Sequence, residues 1–225
     1  MRGWGMSLRK MLRAGVLLLA VAPLGACALA NVASEPAPDL YVLTAPSPQA
    51  PDGTANAAAQ IVVETFSAPA AVDTARIVFQ PSPNEIKYYA GARWSDRAPR
   101  MIAALAVETL HNTGRFPAAI GSGSSARMDL ALTGDIRQFA ATRPAREGFG
   151  QAGTEVRVMF FARLLRASDR SIVAARAFSA SVPSSSGKMV DIVAAYDAAL
   201  GQVLSELALW TLEEGAKAFP KRAGS

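Results

Sequence analysis

Apolar and polar positions along the chain change period several times, and each change marks an element. Gln60 to Phe66 and Arg76 to Gln80 are dense in β-branched and aromatic residues, as strands are; Glu85 to Ala90 follows across Pro81-Ser82-Pro83-Asn84, a turn that makes a hairpin. Asp39 to Leu43 is a shorter strand candidate. From Met101 the apolar residues Ile102, Leu105 and Leu110 recur at helical steps behind Pro99, with Asp96 as the expected cap and Gly114 as the stop. Phe116 to Ile120 reads as a short strand. Met128, Leu130, Leu132 and Ile136 then alternate with Asp129, Thr133, Asp135 and Arg137, the period of a half-buried strand. Glu155 to Arg166 places Val156, Val158, Phe160, Ala162 and Leu164 on one face and mixes Met159, Phe161 and Leu165 with charges on the other. Ser171 to Val182 is the last strand, in which Arg176 breaks the alternation and points to a bulge or an edge. Val193, Tyr196, Leu200, Val203, Leu207 and Trp210 trace a long helix over 188–216. The order predicts an α+β domain, a mostly antiparallel mixed sheet with two helices packed against it.

The ends carry a different composition. Ala14 to Ala22 is an apolar run too short to span a bilayer, and it follows Arg2, Arg9, Lys10 and Arg13, so residues 1–26 read as an export signal. Losing those four positive charges removes most of the formal +5, and no nucleic-acid partner is indicated. The signal ends at Leu24-Gly25-Ala26-Cys27, which resembles the lipobox of bacterial lipoproteins. The resemblance implies that Cys27, the one cysteine in the sequence, becomes the first mature residue and carries a diacylglyceryl group and an acyl chain. Ala28-Leu29-Ala30 would serve an ordinary signal peptidase, which would leave Asn31 first instead. Residues 27–58 are small, polar and rich in proline, and read as a flexible tether; the domain is expected over 59–216, or from Leu40 if the first strand pairs, with a frayed tail at 217–225.

Reactive chemistry is sparse. His111 is the single histidine and sits where a helix should end; Gly121-Ser122-Gly123 lacks the strand-to-helix setting of a phosphate loop. No run has metal-ligand spacing and no carboxylate pair forms a recognisable motif, so neither an enzyme nor a cofactor or metal site is expected.

The block Arg76-Ile77-Val78-Phe79, Glu85 through Tyr88-Tyr89, Arg93-Trp94, followed by the proline-started helix and Gly114-Arg115-Phe116, resembles the ABC-type transport auxiliary lipoproteins, the PqiC-like family. Phe79 stands where that family often has tyrosine. The resemblance implies a periplasmic lipoprotein of the outer membrane that accompanies an ABC permease, its ATPase and an MCE-domain protein in moving phospholipid. Ala28, in place of aspartate after Cys27, fits outer-membrane sorting in the same family sense. A lipoprotein that assists outer-membrane assembly or lipopolysaccharide insertion is the rival class. Tyr88, Tyr89, Arg93 and Trp94, with Met159, Phe161 and Leu165, are the candidate interface residues, because aromatics and arginine concentrate at interfaces; either a partner or a second copy of the chain would cover them.

Overall fold

A computed structural model describes residues 36–123, 127–143 and 153–220. The signal, Cys27 and the first part of the tether lie outside the described residues. Eight strands run β1 (Asp39–Tyr41), β2 (Ile61–Val63), β3 (Arg76–Ser82), β4 (Glu85–Trp94), β5 (Ala119–Gly121), β6 (Leu130–Thr142), β7 (Glu155–Arg166) and β8 (Ile172–Pro183). Helix α1 (Ala98–Asn112) follows β4, and α2 (Met189–Ala218) ends the fold.

The sheet is organised around β6. Its one side pairs antiparallel with β7 along the whole length, and β7 pairs in turn with β8. Its other side is shared: β2 lies parallel to residues 130–132, and β3 lies parallel to the far end through Phe79↔Ala141 and Gln80↔Thr142. Beyond β2 sits β5, and beyond β3 sit β4 and β1. The α+β class is as the sequence predicts, but the sheet is evenly mixed, because the short strands join it parallel while the three long ones form a meander.

The core lies between this sheet and the helices. Val156, Val158, Phe160, Ala162 and Leu164 are all buried, and α2 sets Tyr196, Leu200, Val203 and Leu207 against them and their neighbours. Gly215 lets α2 approach β6 closely: a Cβ there would meet Leu130 Cδ1 at 3.2 Å. By length and hydropathy α2 is apolar enough to cross a membrane, yet its apolar face is occupied by this core.

Several local expectations change. Arg97, not Asp96, is the N-cap of α1, and it offers no side-chain bond; Pro99 within the first turn has no N–H to satisfy. Asp96 instead accepts the Arg97 N–H (2.7 Å). Arg176 marks an edge strand but no bulge, since the irregularity of the β7–β8 ladder falls between Leu164 and Leu165.

Part of the expected tether is fastened to the domain. Thr44 donates its N–H (2.7 Å) and its hydroxyl (2.8 Å) to the Asp197 carboxylate on α2. Asn112 donates to the Pro46 carbonyl, and the Arg115 guanidinium to Thr54 O and Asn56 Oδ1. Leu43 and Ala57 are buried. Where this stretch lacks ladder partners, Asn112 at the end of α1 and Arg115 just beyond it satisfy two of its carbonyls, Pro46 O and Thr54 O.

Candidate functional site

The aromatic block at β3–β4 turns out to build the fold. Trp94 is 1% exposed and joins Phe139 of β6 and Tyr196 of α2, with ring centroids 4.9 to 5.8 Å apart. The Tyr196 hydroxyl donates to Val78 O (2.6 Å) and accepts the Ala141 N–H (2.7 Å), so it bridges β3 and β6 where the sheet forks. Burial drives its pKa well above the ordinary tyrosine value, which keeps it a neutral donor. Trp94 therefore leaves the list of interface candidates.

Tyr88 and Tyr89 are half-buried. The Arg76 guanidinium lies 3.7 Å from the Tyr88 ring centre, and the Tyr88 hydroxyl donates to Ala71 O (3.2 Å). Tyr89 tilts against Phe79, centroids 5.6 Å apart, and burial raises its pKa. Gly91, in the left-handed region at φ 67°, takes up the extra residues that β4 carries opposite β3. Of the four candidates Tyr88, Tyr89, Arg93 and Trp94, Arg93 alone is exposed, beside Leu40 of β1.

His111 is likewise spent on structure: its Nε2 accepts the Ala119 N–H (3.3 Å), which ties the end of α1 to β5. Among the described residues no group of His, Cys, Asp and Glu is arranged to hold a metal ion.

The β7 candidates separate. Leu165 is 7% exposed and belongs to the interior beside Ala131; it is not a surface residue. Met159 is 37% exposed and Phe161 half-buried, both on the face that α2 does not cover. Phe161 lies between two guanidinium groups, Arg137 at 4.9 Å and Arg163 at 4.7 Å from its ring centre. Arg137 gets there because a register shift in β6 leaves it unpaired between Ile136 and Gln138. Arg163 also donates to Asp135 (2.9 Å), which accepts from the Ser67 hydroxyl as well (2.5 Å); Ser67 first, then Arg163, hold the Asp135 carboxyl below its usual range. Arg157 pairs with Glu155 at 2.8 Å. Further along the same strands a cavity of about 400 Å³ opens among Gln80, Pro81, Pro83, Gln138, Arg143 and Arg157. The face as a whole is suited to docking: aromatic and thioether surface framed by arginines whose charges are partly neutralised in place.

Related proteins agree with this fold. The crystal structure of protein XCC0632 from Xanthomonas campestris is 29% identical and superposes with a TM-score of 0.72 over 80% of this chain and 98% of that one. A second crystal structure, of an uncharacterized protein, shares the fold alone: 13% identity, TM-score 0.57, 77% of this chain and 97% of that one. Uncharacterized protein bll6063 of Bradyrhizobium diazoefficiens is 27% identical over 68% of this chain, a stretch that spans 40% of its own length. The profile of the family described as "ABC-type transport auxiliary lipoprotein component" matches residues 41–208, from β1 into the last turns of α2, which takes in the aromatic hub and the outer face of β7 alike. On that match the chain belongs to the ABC-type transport auxiliary lipoproteins.

Proposed function

We propose that the chain is a lipid-anchored, non-catalytic subunit that works beside an ABC permease, its ATPase and an MCE-domain protein, and that this assembly moves phospholipid between the two membranes. The observation that carries the reading is the family match across residues 41–208. The chemistry of the described residues agrees with a docking role: His111 Nε2, the Tyr196 hydroxyl and the Asp135 carboxylate are each engaged within the fold. The anchor is the diacylglyceryl and acyl chains on Cys27, with the outer membrane as its address. From Cys27 to Asp39 the chain spans at most ~40 Å at about 3.3 Å per residue, so the domain works close to the membrane that holds it.

The test follows labelled phospholipid between inner and outer membranes in a strain deleted for this chain. Exchange should slow, recover with the wild-type chain, and fail to recover with Cys27→Ser. Unchanged exchange in the deletion strain, with no labelled palmitate on the wild-type protein, would remove the proposal.

A further inference from the structure

Strand β1 lies on the edge of the sheet, paired with β4 alone. Tyr41 and Leu43 turn inward from it, while Leu40 and Val42 alternate to the other face. Each is 68% exposed, the most of any large apolar side chain among the described residues. Leu40 lies in register with Arg93 of β4, and Arg93 in register with Arg76 of β3, so one apolar and two cationic side chains form a row across three strands. Both arginines are exposed. Like charges directly opposite each other on a sheet repel. Among the described residues neither arginine has a carboxylate partner: Arg76 lies on the Tyr88 ring, which leaves its charge in place, and the carboxylates that flank these strands, Asp73 and Asp96, are taken by Arg97 and Arg100. Asp39 precedes Leu40 and so alternates to the opposite face.

We propose that this corner is a membrane-contact site, where Arg93 and Arg76 take the phosphates of a phospholipid leaflet and Leu40 and Val42 settle among its headgroups. Three observations choose this occupant. An uncompensated arginine pair is complementary to the anionic group that a phospholipid surface repeats, and each guanidinium can hold a phosphate through two parallel hydrogen bonds. Apolar side chains beside the pair suit a surface that is charged outside and apolar just beneath, whereas a free phosphate would make no use of them. The third is chain length. The inference rests on the Cys27 anchor proposed above: from Cys27 the chain spans at most ~40 Å to Asp39, and β1 is the first element beyond that tether. The acyl chains keep the protein on the membrane, and the corner sets which way the domain faces. A domain held at both points no longer turns freely about its tether.

The test uses the full lipidated chain, purified from cells and reconstituted in vesicles of phosphatidylethanolamine and phosphatidylglycerol that carry a nitroxide on a fraction of their headgroups. With the Cys27 thiol consumed by its diacylglyceryl group, Val42→Cys supplies the single site for a fluorescent label; Ile172→Cys, at a similarly exposed position on β8, is the control. The headgroup nitroxide should quench the Val42→Cys label at least several-fold more than the Ile172→Cys label. Arg93→Glu should bring the two together with no loss of melting temperature, since it replaces the repulsion of Arg76 by attraction. Flotation with the vesicles reports the anchor separately. A chain that floats but whose two labels are quenched alike overturns the inference and leaves the anchor standing. So does quenching at position 42 that survives Arg93→Glu, or a label there that is shielded from lipid nitroxide and dissolved iodide alike, which would mean that protein covers the corner. A chain that does not float loses the anchor, and this inference with it.

Discussion

Tyr196 shows how much of this fold rests on single polar groups. Its hydroxyl satisfies Val78 O and the Ala141 N–H in a fully buried position where two sheet segments meet over only two residue pairs. Tyr196→Phe keeps the ring stack but orphans both groups, and should lower unfolding stability by about 1–3 kcal/mol in a denaturant titration. Asp135 offers a pH signature. Its folded pKa is depressed by Ser67 and Arg163, so its contribution is complete above the unfolded carboxylate value and disappears as pH falls through the folded one. The stability difference between wild type and Asp135→Asn should be constant above about pH 5 and shrink below about pH 4. A difference that grows on acidification would mean that Asp135 is not the charged partner of Arg163.

At the scale of elements, the strap from Thr44 to Asn56 is held by a few long-range bonds and is the part most easily released. Asp197→Ala removes both acceptors of Thr44. Protease cleavage within 44–56 should accelerate several-fold in that variant, while β6 to α2 stay intact on the same gel. The strap also marks where sequence stops being informative. Alternation in β6 and β7 and the helical period of α2 are local patterns, and they are where the sequence places them. Thr44 meets Asp197 across 153 residues, and no local pattern records that. The same holds on the outer face of β7. Met159 and Phe161 are legible from alternation with the buried Val158 and Phe160. Leu165 follows the same alternation yet is covered, and Trp94, a plausible surface aromatic, closes the core. Arg137 reaches Phe161 through a register shift.

For the molecule as a whole, the aromatic block through which the sequence resembles its family is a folding device: Arg76 on Tyr88, Phe79 on Tyr89, and Trp94 in the hub with Phe139 and Tyr196. The residues that carry the family resemblance thus lie largely in the core, apart from the face that the helices leave free. This lipoprotein is an auxiliary component of an ABC-type transport system. The most direct measurement is in-cell cross-linking of the tagged, full-length chain, followed by purification and identification of what is bound. The expected outcome is recovery of an ABC permease, its ATPase and an MCE-domain protein, reduced at least several-fold by Phe161→Asp at equal abundance of the chain. Recovery of an outer-membrane β-barrel assembly protein in their place, unaffected by that substitution, would contradict it.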